Sequence, residues 1–136
     1  MSNQLELRGF HHLTLTVTDI NRAREFYTGV LGLNVIAEIS PTWVVVGNNQ
    51  LFFGICEPHD PDQAIDNDRF NENRVGLDHL SFTVESRQDI ERAQQLFGEA
   101  GVRHAEIKDI PDFGITVMMF WDPDNIQLEL SDVTGQ

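Results

Sequence analysis

An internal duplication constrains this chain more than any other feature. GFHHLTLTV (9–17) lies over GLDHLSFTV (76–84) at an offset of 67 residues, with Gly9/Gly76, His12/His79, Leu13/Leu80, Thr16/Thr83 and Val17/Val84 identical. A period this long belongs to two copies of one module rather than to a solenoid. Each copy continues into an amphipathic helix pattern, DINRAREFYTGVLG and RQDIERAQQLFGEAG, with apolar residues at Ile20, Ala23, Phe26 and Tyr27 and at Ile90, Ala93, Leu96 and Phe97. Asp19 suits an N-cap, and Gly32 and Gly101 suit C-caps. Three strand-like runs follow each helix: NVIAEI, TWVVVG and LFFGICE, then HAEIKDI, ITVMMFW and IQLEL. The expected fold class is α+β, two tandem βαβββ modules at about 8–57 and 75–132, joined by a linker over 58–74.

With 136 residues the chain is expected to form one domain over 1–136, since two independent cores of ordinary size would not fit. The linker is rich in Asp, Asn and Pro and has no periodicity. It reads as a solvated connection. The alternative is a flap over a pocket, in which Arg69 and Arg74 would meet an anionic substrate.

Strand alternation decides which side chains can meet. Leu13, Leu15 and Val17 face the helix, which sends His12, Thr14 and Thr16 to the opposite face. The same count sends His79, Ser81 and Thr83 outward, and places Gln127, Glu129 and Ser131 opposite Ile126, Leu128 and Leu130. A twofold arrangement of modules brings equivalent positions together. Two imidazoles and one carboxylate, His12, His79 and Glu129, then suit a divalent first-row ion with open coordination positions: Fe2+, Mn2+, Ni2+ or Zn2+. Aligning LFFGI (51–55) with IQLEL (126–130) puts Gly54 at the position equivalent to Glu129, so three protein ligands are expected. A lone strand histidine is ordinarily a satisfied structural residue. Two at matching places in two copies, with a carboxylate between leucines, form a pattern that packing alone does not require.

Other chemistry-bearing residues read more plainly. His11 falls on the core-side parity and reads as a supporting or packing residue; His59 and His104 read as solvated, and Lys108 as a surface residue. Cys56 shares parity with Phe52 and Gly54 but reads as a small buried thiol. A formal charge of −13 opposes binding to nucleic acid or anionic membranes. A single cysteine and an N-terminus without a signal-peptide pattern point to the cytoplasm.

The motifs HLTLTVTDINRAREFYTGVLGL (12–33), DHLSFTV (78–84) and FWDPDNIQLEL (120–130) resemble the vicinal oxygen chelate superfamily, which holds glyoxalase I, extradiol dioxygenases, methylmalonyl-CoA epimerase and the fosfomycin and bleomycin resistance proteins. The resemblance spans roughly residues 8 to 132, with Asn125 where the family often has Gly. It implies a U-shaped, cup-like mixed β-sheet around a metal, with His12, His79 and Glu129 at the ligand positions. In glyoxalase I and the epimerases the slot of Gly54 usually supplies a fourth ligand; the set here is closer to the fosfomycin-modifying transferases and the dioxygenases.

The expected function is that of a divalent-metal-dependent enzyme whose ion accepts two adjacent oxygens of a small substrate, in lyase, isomerase, transferase or dioxygenase chemistry. Thr14, Ser81 and Gln127 would orient the substrate and Phe52 would wall it. Glu129 is the catalytic candidate, a base if released from the ion. The alternative is a bleomycin-resistance-type protein that sequesters a small drug or antibiotic. A homodimer is expected, with His12 of one chain meeting His79 and Glu129 of the other.

Overall fold

The computed structural model describes residues 3–133. The first module runs β1 (Thr14–Thr16), α1 (Ile20–Arg24), β2 (Asn34–Ser40), β3 (Trp43–Gly47) and β4 (Phe52–Cys56). The second runs β5 (Leu80–Thr83), α2 (Arg87–Ala100), β6 (Lys108–Ile110), β7 (Ile115–Trp121) and β8 (Gln127–Asp132). Each module forms its own four-stranded mixed sheet, ordered β1-β4-β3-β2 and β5-β8-β7-β6. The first strand lies parallel to the last in both, and the remaining pairs are antiparallel. The expected α+β pair of βαβββ modules is therefore observed.

The helix caps follow from local chemistry. The Asp19 carboxylate accepts from the Asn21 and Arg22 amides. Ser86 and Asp89 form a capping box at the start of α2, and Gly101 closes that helix in the left-handed conformation at φ 71°. The first helix departs from a simple 3.6-residue pattern. After Arg24 it widens into a π-helical stretch, Glu25–Val30, with the Leu31 amide donating to Phe26 O. Phe26 and Tyr27, three and four residues after buried Ala23, both enter the core, their rings edge to face at 5.0 Å. The run HAEIKDI is a strand only over its last three residues; His104 makes an isolated bridge to Phe120.

One apolar cluster unites the helix-side faces of both modules, joining Leu15, Tyr27, Phe53 and Ile55 to Phe97, Met118, Phe120 and Leu128. Ring contacts cross between modules, Phe26 to Phe120 at 6.5 Å and Phe53 to Phe82 at 5.8 Å. The turn Asp122–Asn125 adds a polar clasp. Asp122 accepts from the Tyr27 hydroxyl at 2.8 Å. It also accepts from the Asp124 and Ile126 amides, both at 2.8 Å. Asp124 accepts from the Thr18 amide and hydroxyl and from the Arg22 guanidinium. Burial pushes the Asp122 carboxyl up to about 6 against the lowering effect of its donors, and burial next to that carboxylate raises the Tyr27 phenol. Asn125 takes the left-handed conformation at φ 68°, which a short amide side chain tolerates in a tight turn.

Among the described residues no helix is long and apolar enough to cross a membrane.

Candidate functional site

The duplication extends to strand register. Thr14 stands opposite Gly54 in the first sheet, and Ser81 stands opposite Glu129 in the second. These are the pairs that the sequence alignment equates. A Cβ built on Gly54 would meet Thr14 Oγ1 at 2.6 Å, so the face away from the helices is closely filled there.

On the second sheet two of the expected residues meet. His79 Nε2 lies 3.7 Å from Glu129 Oε1, with the Glu129 side chain largely buried and that of His79 more open. Both are held from behind. Asp78 Oδ1 lies 2.7 Å from His79 Nδ1, and the Ser131 hydroxyl donates to Glu129 Oε1 at 3.1 Å. The Ser81 and Ser131 hydroxyls are 2.6 Å apart, which continues the chain of hydrogen bonds.

His12 stands apart from this pair, on the first module. Its Nδ1 is 2.7 Å from His11 Nδ1, and the His11 ring sits edge-on to Phe52 with centroids 6.0 Å apart. Among the described residues no three His, Cys, Asp or Glu side chains of one chain form a metal-capable group. Thr14 and Ser81 are exposed, and Phe52 is half-exposed. Gln127 is placed differently from the expectation of a substrate contact. It is buried, and its amide nitrogen donates to the backbone oxygen of Asp78 at 3.1 Å and to Asp78 Oδ1 at 3.2 Å.

Asp78 is the site residue that sequence reading overlooked. Parity assigns it and its repeat partner His11 to the core side, yet both residues precede the first paired strand residue of their module, where alternation no longer binds. The signal was available in the duplication: in both copies a polar residue precedes the histidine.

Most of the connection between modules is exposed, as a solvated linker would be. It is nevertheless pinned at Phe70, whose amide donates to Asp124 O and whose carbonyl accepts from Asn125 Nδ2. Between it and β1 lies a cavity of about 630 Å³ reached by Thr14, Thr16, Arg69, Arg74 and Leu77. The flap reading thus has a geometric basis. Arg74 is also paired with Asp68 at 3.3 Å. Cys56 is buried as expected, with Sγ 3.7 Å from His59 Nε2. His59 stays exposed but stacks edge-on to Trp43, and His104 is half-buried with Nδ1 3.0 Å from Val102 O.

The sequence pattern of the Glyoxalase/Bleomycin resistance protein/Dioxygenase superfamily matches residues 9–130, both modules and the turn between β7 and β8. The chain belongs to that superfamily. Within it, the glyoxylase/bleomycin resistance protein/dioxygenase domain from Frankia sp. EAN1pec is 32% identical, covers 93% of this chain and 98% of its own, and superposes with a TM-score of 0.77. The Bacillus subtilis (strain 168) protein YwkD is 28% identical over 91% of this chain and 96% of its own. The fosfomycin resistance protein FosX from Listeria monocytogenes, solved as a mutant with Mn(II) and 1S,2S-dihydroxypropylphosphonic acid, shares the fold at TM-score 0.70 and 20% identity, over 92% of this chain and 90% of its own.

Proposed function

We propose that this glyoxalase-superfamily chain is a divalent-metal-dependent enzyme acting on a small substrate that chelates the ion through oxygen atoms. The observation that carries the reading is the approach of His79 Nε2 to Glu129 Oε1 at 3.7 Å, each held by a partner behind it. An imidazole nitrogen just ahead of β5 and a carboxylate oxygen on its strand partner β8 suit a first-row divalent ion, and orienting partners behind the donors are what such sites use. FosX, of the same fold, has been solved with Mn(II).

The third ligand in this reading is His12 of a second copy. It lies just ahead of β1 in the other module, and the modules of one chain are joined through Leu15, Ile55, Phe120 and Leu128 rather than through the face that bears Glu129. Leu5, Leu7 and Phe10, ahead of β1, and Ile36 and Ile39 on β2 are exposed, as apolar residues awaiting a partner surface would be. A twofold dimer exchanging modules would close two equivalent sites.

A bound ion would supply Lewis acidity toward two adjacent substrate oxygens. The chain's own residues do the rest. Ser131, itself hydrogen-bonded to Ser81, holds the Glu129 carboxylate, Thr14 offers a hydroxyl where it closes the Gly54 slot, and Phe52 gives an apolar wall. Glu129 would act as the base in this reading if released from the ion.

The cavity beneath the connection favours a second reading, small-molecule sequestration, since Arg69 and Arg74 reach it but His12, His79 and Glu129 do not. Calorimetric titration with Mn2+ and Ni2+ separates the two. The enzyme reading expects stoichiometric binding that is lost in His79→Ala, and the sequestering reading expects none.

A further inference from the structure

We propose that Asp78 and Gln127 are positioning residues that set the tautomer and orientation of His79. The inference rests on the metal reading for its consequence, although the hydrogen-bond geometry is independent of it.

Asp78 Oδ1 is the shared acceptor. It lies 2.7 Å from His79 Nδ1 and accepts from Gln127 Nε2 at 3.2 Å, while the same amide nitrogen reaches the Asp78 backbone oxygen at 3.1 Å. The Asp78 side chain is otherwise 68% exposed, and an exposed carboxylate sweeps through several rotamers unless something fixes it. Gln127 supplies the fixing. It is buried on β8, two residues before Glu129 and therefore on the same face of that strand. One strand thus carries Glu129 itself and the clamp that aims its neighbour.

The chemical consequence follows from what an ionised carboxylate can do. It only accepts hydrogen bonds, so the contact at Nδ1 places the imidazole proton there and leaves the Nε2 lone pair free. Nε2 is the nitrogen 3.7 Å from Glu129. A carboxylate behind an imidazole also fixes the ring's orientation as a ligand. In the first module the corresponding position holds His11, whose ring nitrogen can either donate to His12 Nδ1 or accept from it. The two copies therefore differ: the orientation of His79 is fixed by charge, and that of His12 is not.

The test uses 15N-labelled, metal-free full-length protein and long-range 1H–15N correlations of the imidazoles, at a pH well above the ordinary histidine range. The wild type should show His79 protonated at Nδ1. Asp78→Ala should move that population toward the Nε2–H form, Gln127→Leu should do so in part, and Asp78→Asn, which keeps an acceptor oxygen, should restore it. Mn2+ titration of the same samples should show affinity lower by roughly 10–100-fold in Asp78→Ala. If the wild-type His79 carries its proton on Nε2, or if Asp78→Ala leaves the tautomer unchanged in a folded protein, the positioning role is overturned. If the wild type binds no metal while the tautomer responds as described, the metal reading fails and the positioning role stands.

Discussion

Glu129 stands opposite Ser81 in the parallel pair of β5 and β8, as Gly54 stands opposite Thr14 in the pair of β1 and β4. The two halves of the molecule therefore keep one register and differ in one donor. A carboxylate survives in the second copy, where the hydroxyls of Ser131 and Ser81 support it. In the first copy the equivalent slot is closed by Thr14.

That relationship predicts how a fourth ligand could be introduced. Gly54→Glu alone should fold less stably, because its Cβ would lie 2.6 Å from Thr14 Oγ1 and 3.1 Å from Thr14 Cγ2. A β-branched threonine can relieve this only by changing rotamer, at a cost of order 1 kcal/mol. Gly54→Glu combined with Thr14→Ala should recover stability and tighten Ni2+ or Zn2+ binding over the wild type. Chemical denaturation and calorimetry on both variants check this; a double variant with unaltered metal affinity would mean that position 54 does not face the metal.

The buried clasp between modules predicts a large effect from a small change. Tyr27→Phe removes only an oxygen, yet it takes away the 2.8 Å donor to buried Asp122 and should destabilise the fold by about 1–3 kcal/mol. Urea unfolding would measure it.

The same clasp predicts a pH dependence with a definite sign. Burial holds the Asp122 carboxyl near 6 in the folded protein, above its ordinary unfolded value of about 4. The native state thus binds more protons than the unfolded state between those limits. Its contribution to stability is complete below about pH 4 and is lost as pH rises through about 6. Relative to Asp122→Asn, the wild type should lose up to roughly 3 kcal/mol across that window. Parallel denaturation curves for the two proteins across the window would contradict the assignment.

The fold was legible because duplication, caps and alternation are local. Asp19, Gly32 and Gly101 announce the helix ends, and the leucines of LTLTV and IQLEL announce the core face. The π-helical stretch was not legible, since the apolar spacing of Ala23, Phe26 and Tyr27 fits an ordinary α-helix as well. In the site, the repeat pointed to His79 and Glu129 together, while Gln127, expected at the substrate, lies buried against Asp78. Asp78 and His79 both lie just ahead of β5, outside the paired ladder, so hydrogen bonds that alternation does not describe set their orientation. The connection lacked periodicity altogether, and only its long-range tie from Phe70 to the Asp122–Asn125 turn reveals a wall over a cavity.

Complementation between two defective proteins tests the shared metal site most directly. His12→Ala and Glu129→Ala, each folded and each unable to bind Mn2+, are mixed, unfolded together and refolded. In a module-exchanging dimer, half of the dimers are mixed and each mixed dimer rebuilds one of its two sites, so about a quarter of the sites should bind Mn2+ again. Mixed dimers that form but recover no Mn2+ binding would contradict a site built from His12 of one chain and His79 and Glu129 of another.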